Sequence, residues 1–86
     1  MSAALANLAP TVVIRAARGS DGSALRRLAD LDSRPLPAGE LLVAETGDEV
    51  VAALSLETGA RIADPFRRTA DVVDLLAFRA RRLRAR

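Results

Sequence analysis

Residues 40–57 read ELLVAETGDEVVAALSLE, two runs of strand-forming residues on either side of Gly47-Asp48. Valine and leucine dominate both runs, and a two-residue link that starts with glycine suits a type II′ turn. The stretch therefore predicts a β-hairpin whose strands span residues 40–46 and 49–57.

The second strand of this hairpin carries apolar side chains in both alternating sets. Strand residues alternate between the two faces of a sheet, so a strand with two apolar faces is typical of a central position. We predict one face from Val50, Ala52, Leu54 and Leu56, and the opposite face from Val51, Ala53, Ser55 and Glu57.

Two further strands and two helices are predicted around the hairpin. The run 11–16 is β-branched and 60–63 is a short strand that Pro65 ends, whereas the prolines at 35 and 37 place a loop before the hairpin. The first helix follows turn and N-cap residues Gly19, Ser20 and Asp21, and its apolar face is Ala24, Leu25, Leu28, Ala29 and Leu31.

The second helix is predicted from Thr69 to about Arg84, with acidic residues near its start and arginines at its end. Together these elements predict an α+β fold of order β-α-β-β-(β)-α. Its sheet is mainly antiparallel with three to four strands, and both helices pack on it. Residues 11–86 form a single domain in this interpretation, and residues 1–10 form a flexible N-terminal segment.

Composition excludes several classes of protein. The chain has 86 residues, no cysteine and no histidine, so disulfides, Cys/His zinc sites, Ser-His-Asp triads and Cys-His dyads are excluded within it. No metal site is predicted. The first ten residues lack the pattern of a signal peptide, and no apolar run reaches the roughly 20 residues of a membrane span. We expect a cytoplasmic protein with no membrane partner.

The order of elements and several local motifs resemble the N-terminal half of the GNAT acetyltransferase family. The motifs are Ile14-Arg15-Ala16-Ala17 before Asp21, Leu25-Arg26-Arg27-Leu28, and the hairpin segments Val43-Ala44-Glu45 and Gly47-Asp48-Glu49-Val50-Val51-Ala52. The resemblance covers roughly residues 11–63. It implies a shared fold and, in complete members, acetyl transfer from acetyl-CoA.

The family's cofactor loop is the point of departure. The resemblance places an Arg/Gln-x-x-Gly-x-Gly/Ala loop after the strand at 60–63, where glycines let backbone amides approach the pyrophosphate. This chain has Asp64-Pro65-Phe66-Arg67-Arg68-Thr69-Ala70-Asp71 there and no glycine after Gly59. Arg67, Arg68 and the helix start at Thr69 are the candidate anion site, although arginines in a polar loop are more often solvated.

No catalytic residue is predicted. Glu57 and Asp64 lie where the resemblance would put a general base, yet carboxylates that flank a turn are usually surface groups. The chain also has no tyrosine, the residue that such enzymes often use as general acid.

The second helix has two apolar faces. A helical wheel assigns Val72, Val73, Leu76, Ala77, Ala80 and Leu83 to the sheet, and leaves Leu75 and Phe78 on the opposite side among charged residues. Single exposed apolar residues are normal on protein surfaces, but a small domain gains stability by burying such a face, so Leu75 and Phe78 are candidate contacts of a homodimer. Such a homodimer of two half-domains could also restore something like a complete sheet.

Five arginines at positions 79, 81, 82, 84 and 86 crowd the C-terminal end. They favour phosphate binding in principle, but the net charge is only +2 and the helix dipole explains cations at this end, so nucleic acid is an unfavoured partner.

Three functional hypotheses follow. The first is a non-catalytic, self-associating GNAT-like half-domain that serves as an interaction or accessory protein. The second is a minimal acetyltransferase or acyl-CoA binder with a site formed across a dimer, and the third is an arginine-tail nucleic-acid binder. Only the second requires a cofactor, acetyl-CoA.

Overall fold

The computed structural model describes residues 11–84, so the segment 1–10 predicted to be flexible lies outside the described residues. Four strands form one antiparallel sheet in the order β1-β2-β3-β4. The α+β fold and the predicted order of elements are confirmed. The elements are β1 (Val12–Ala16), α1 (Gly22–Asp32), β2 (Leu41–Thr46), β3 (Glu49–Ser55), β4 (Arg61–Ala63) and α2 (Ala70–Arg84).

The predicted hairpin is present as β2 and β3, and β3 is central in the sheet as expected. The predicted turn type is wrong. Gly47 has φ +57° and Asp48 has φ +68°, and positive φ at both central residues defines a type I′ turn rather than II′. Type I′ matches the right-handed twist of the strands, and aspartate tolerates the left-handed region better than most residues do.

A β-bulge in β3 corrects the predicted faces of that strand. Ala44 lies opposite Ala52 but Glu45 lies opposite Val50, so Val51 is the extra residue. One extra residue reverses the alternation on its N-terminal side. Val50 therefore joins the face of Ala53, whereas Val51 joins the face of Ala52 and Leu54, the reverse of the prediction for the two valines.

The sheet has an apolar core on each face, because each helix covers one side. Helix α1 and its face of the sheet contribute Leu25, Leu28, Ala29, Leu41, Val43, Val50, Ala53 and Ile62. Helix α2 and the other face contribute Leu42, Ala44, Val51, Ala52, Leu54, Leu76 and Ala80.

Most of the predicted contacts of α2 are correct, since Val72, Val73 and Ala77 pack beside the buried Leu76 and Ala80. Leu83 is the exception. It is 39% exposed and is not part of the core that α2 forms with the sheet.

At each edge of the sheet, a side chain of the same chain binds one backbone group of the edge strand. On β4, the Ala63 amide donates to Asp32 Oδ2 at 3.0 Å. On β1, Ala17 donates to Leu41, so by alternation the polar backbone groups of Ala16 face outward, and the Ala16 carbonyl accepts from Arg15 Nη1 at 3.2 Å. Side chains that occupy edge groups oppose the addition of a further strand.

Ser55 ends β3 and fastens it to the neighbouring loops. Its hydroxyl is fully buried, donates to the Ala38 carbonyl at 2.7 Å, and accepts from the amides of Glu57 and Thr58 at 3.1 and 3.0 Å. This contact explains why β3 stops before residue 57, where the strand was predicted to end.

We expect Ser55→Ala to lower the free energy of unfolding by about 2 kcal/mol, because the buried hydroxyl is lost and three backbone groups lose their partner. Urea denaturation measures the change. Ser23→Ala, at an exposed position of α1, is the control and should change stability by less than about 0.5 kcal/mol. Equal effects of the two substitutions would contradict a structural role for the Ser55 hydroxyl.

Candidate functional site

Residues 64–69 join β4 to α2 and are the stretch where a cofactor loop was considered. Asp64 is buried, and its carboxylate accepts from the Phe66 amide at 2.9 Å while its carbonyl accepts from the Arg67 amide at 3.3 Å. An aspartate that bonds the backbone two residues on forms an Asx-turn. Asp64 therefore has a structural role in shaping this loop.

Arg67 contacts two carboxylates, Glu49 at the start of β3 and Asp64 in its own loop. Its guanidinium donates to the Glu49 carboxylate, and its Nε lies 3.7 Å from Asp64 Oδ2. Glu49 is in turn 3.9 Å from Arg27 Nη2. The charge of Arg67 is thus shared with two carboxylates, which lowers its attraction for an external anion.

Arg68 and Thr69 complete the predicted anion site beside Arg67. Arg68 is exposed and, within residues 11–84, forms no ion pair. The Thr69 carbonyl accepts from the Val73 amide at 2.8 Å, which is the first hydrogen bond of the helix. The amides just before Val73 therefore have no acceptor within the helix. The structure brings the three residues together at the start of α2, and phosphate binding there stays a prediction.

A groove of about 430 Å³ runs beside this helix start. It lies between the beginning of β1, the end of β2 and the first turn of α2, and most of its lining is apolar. Its size falls at the small end of ligand sites in proteins. The lining residues are Val12, Thr46, Val51, Arg67, Arg68, Thr69 and Val72.

The two carboxylates considered as general bases lie apart. Ser55 bonds Ala60 at one end of β4, close to Glu57, whereas Asp64 bonds Val51 at the other end. Glu57 is exposed, and its carboxyl group lies over Gly39 at a distance that leaves no room for a Cβ. The two carboxylates therefore do not form a pair.

The outer face of α2 carries the exposed apolar pair that the helical wheel predicted. Leu75 is 48% exposed and Phe78 is 50% exposed. The Arg82 guanidinium lies 5.8 Å from the centre of the Phe78 ring, within the range of a cation–π contact. This contact covers only one side of the ring, and Leu75 remains open toward solvent.

The arginines at the C-terminal end of α2 are all exposed, at positions 79, 81, 82 and 84. Arg86 lies outside the described residues. That nucleic acid is an unfavoured partner of these side chains stays a prediction.

A partly buried charge cluster around Arg15 of β1 was not predicted from the sequence. Arg15 donates two hydrogen bonds to Asp21, at 2.8 and 2.9 Å, and a third from Nε to Glu45 at 3.0 Å. The Arg18 amide donates to Asp21 at 2.7 Å. Asp21 lies at the N-cap position of α1 as predicted, but its side chain makes no cap hydrogen bond there and instead joins β1 to the turn before α1.

This cluster shifts the acidity of its members. The hydrogen bonds from Arg15, and then the one from the Arg18 amide, lower the pKa of Asp21 to about 2. The same contacts with Asp21 and Glu45 raise the pKa of Arg15 above its ordinary value. The sequence signal that could have indicated this cluster is the alternation along β1, because it puts Arg15 on the sheet face that α1 covers.

Other chemical features are sparse in residues 11–84. That part of the chain holds no group of three or more acidic, histidine or cysteine side chains placed to bind a metal ion. All of its buried side-chain polar atoms have hydrogen-bond partners. None of its helices is long and apolar enough to cross a bilayer.

Comparison of the chain with protein-family models, with curated proteins and with solved structures finds no match.

Proposed function

We propose that this chain is a non-catalytic, self-associating GNAT-like half-domain that acts as an interaction or accessory protein through the outer face of α2. The observation that carries the proposal is the pair Leu75 and Phe78, two large apolar side chains about half exposed on a helix that already buries its other face. Contiguous exposed apolar surface framed by charge is typical of a protein contact.

The polar groups in the loop of residues 64–69 support a non-catalytic role. Asp64 is engaged in a turn and Arg67 is paired with Glu49 and Asp64. A general base needs a reachable proton and an accessible site, and a phosphate clamp needs uncompensated positive charge. Of the two arginines considered for a phosphate clamp, only Arg68 keeps its charge uncompensated within residues 11–84.

The sheet edges favour α2 as the contact surface. Asp32 occupies the Ala63 amide on β4, and Arg15 occupies the Ala16 carbonyl on β1. A strand added at the Ala63 amide or the Ala16 carbonyl would have to displace the side chain bound there, whereas a contact on α2 buries Leu75 and Phe78 without breaking a backbone hydrogen bond.

Native mass spectrometry over a range of protein concentrations tests the proposal. We expect a concentration-dependent dimer of the parent chain, and we expect Phe78→Glu to be monomeric, because its carboxylate would be desolvated in the contact. Phe66→Glu is the matched control: Phe66 is 81% exposed but lies in the loop before α2, so this variant should dimerise like the parent.

The outcomes separate clearly. A parent chain that stays monomeric at every concentration would remove self-association from the proposal. If Phe78→Glu dimerises as well as the parent, the contact lies elsewhere on the chain.

Acyl-CoA binding is a second candidate, because the groove of about 430 Å³ places apolar lining next to the uncompensated Arg68. An acyl or pantetheine chain suits such a lining and a phosphate suits an arginine. Repeating the spectra with excess acetyl-CoA tests this candidate. A bound cofactor that Arg68→Ala abolishes would favour it, and an unliganded chain would exclude it at that concentration.

A further inference from the structure

We infer that the partner on the outer face of α2 is a second copy of this chain, with the two α2 helices antiparallel and Asp71 of each copy facing Arg82 of the other. This inference rests on the proposed self-association and specifies its geometry.

The first step is the stripe that the outer face presents. Asp71, Leu75, Phe78 and Arg82 follow the spacing i, i+4, i+7 and i+11. At 3.6 residues per turn these four positions fall within roughly 60° of the helix circumference. All four side chains are exposed. They form one continuous contact line, which we call the outer stripe.

The second step is the symmetry of that stripe. Leu75 and Phe78 are equally distant from the midpoint between Leu76 and Ala77, and so are Asp71 and Arg82. With a rise of 1.5 Å per residue, the apolar pair spans roughly 4.5 Å and the charged pair roughly 16 Å along the axis. A twofold axis through this midpoint therefore places Leu75 beside Phe78 of the second copy.

The third step is the charge that the same axis brings together. It places Asp71 opposite Arg82 at both ends of the contact. The apolar centre of the contact therefore has an ion pair on either side. A parallel arrangement would put Asp71 against Asp71 and Arg82 against Arg82, and like charges in direct contact disfavour association. The outer stripe is thus complementary to itself only when reversed.

The surrounding charges follow the same order. Asp74 lies in the first half of α2, and Arg79 and Arg81 lie in the second half. Two antiparallel copies bring the acidic half of each helix to the basic half of the other, and their macrodipoles are opposed as well. The contact is short, so we expect a weak dimer at the small end of specific interfaces.

Charge reversal tests the geometry. We expect Asp71→Arg and Arg82→Asp each to weaken the homodimer roughly tenfold at low salt, since both ends then carry like charges. An equimolar mixture of the two variants should form a heterodimer with parent-like affinity, because each end again pairs arginine with aspartate. Native mass spectrometry identifies it by a mass between those of the two homodimers.

Two controls separate pairing from damage to the helix. The double variant Asp71→Arg/Arg82→Asp opposes the helix dipole at both ends, yet it should dimerise like the parent because its ends are complementary. Arg26→Asp, at an exposed position on α1, makes the same charge change as Arg82→Asp but away from the outer stripe, and it should leave the dimer unaltered. In about 1 M salt, where screening acts over about 3 Å, the differences in dimer affinity between the parent and the two single reversals should shrink.

The result that overturns the inference is a parent dimer that both single reversals leave intact, or a mixture that fails to form the heterodimer. Self-association would survive that result, with a different geometry. A parent chain that never dimerises would overturn the inference and the proposed self-association together.

Discussion

Leu76→Ala is expected to lower the free energy of unfolding by about 3–4 kcal/mol, the cost of removing a fully buried leucine from a packed core. Leu76 has no exposed surface and lies at the centre of the core between α2 and the sheet. A domain of this size has a total stability of roughly 4–13 kcal/mol, so the substitution removes a large part of it. Urea denaturation followed by circular dichroism measures the loss.

The neighbouring Leu75→Ala is the matched control, because it makes the same chemical change one position earlier on the same helix. Leu75 is 48% exposed, and alanine is the better helix former, so we expect a change within about 0.5 kcal/mol. Dimerisation should respond differently from folding. Leu75→Ala should weaken association of the proposed dimer more than it lowers the free energy of unfolding. Similar losses of stability for both variants would mean that α2 does not dock through Leu76.

The existence of the main elements could be predicted because local pattern and tertiary burial agree in them. Residues 40–57 alternate and turn at Gly47-Asp48, and residues 69–84 repeat apolar positions at helical spacing, so each pattern suits one type of element. The bulge at Val51 could not be predicted. It depends on how β2 and β3 are registered, and both valines are apolar enough for either face of the sheet.

The sequence predicted the exposed apolar pair on α2 but did not predict the pairing of Arg67. The exposure of Leu75 and Phe78 followed from geometry within one helix, which a wheel captures. The state of Arg67 depends on Glu49, which is 18 positions away in the sequence. Pairings between distant charges follow from the packed structure, and local composition carries no signal for them.

Ser55 and Asp21 show a further reason for incomplete prediction. Both are polar residues at positions where the sequence suggested ordinary roles, a strand residue and a helix cap. Their partners are the Ala38 carbonyl and the Arg15 guanidinium, groups that approach only after the loops and β1 are in place. Buried polar residues acquire their function from the acceptors and donors that folding brings to them.

The second large effect is expected from Arg15→Met, which should lower the free energy of unfolding at pH 7 by about 2–3 kcal/mol. Methionine keeps most of the side-chain volume but removes the guanidinium that bonds Asp21 and Glu45. The Asp21 side chain is only 9% exposed, so water replaces the lost hydrogen bonds poorly. Arg34→Met is the control, because the Arg34 side chain is 62% exposed and its contact with Asp32 is long, at 3.6 Å.

The pH dependence of this loss tests whether Arg15 acts through the ionised Asp21 carboxylate. The pKa of Asp21 in the folded chain is about 2, lower than that of an ordinary aspartate. A lowered pKa adds stability that is fully present above the pKa of the unfolded chain, near 3.9, and disappears as the pH falls toward the folded value. The gap between the parent and Arg15→Met should therefore be widest at pH 7 and narrow between about pH 4 and pH 2. Unfolding in urea at pH 7, 4, 3 and 2.5 measures this gap, and a gap that stays constant would show that the ionisation of Asp21 is not what Arg15 stabilises.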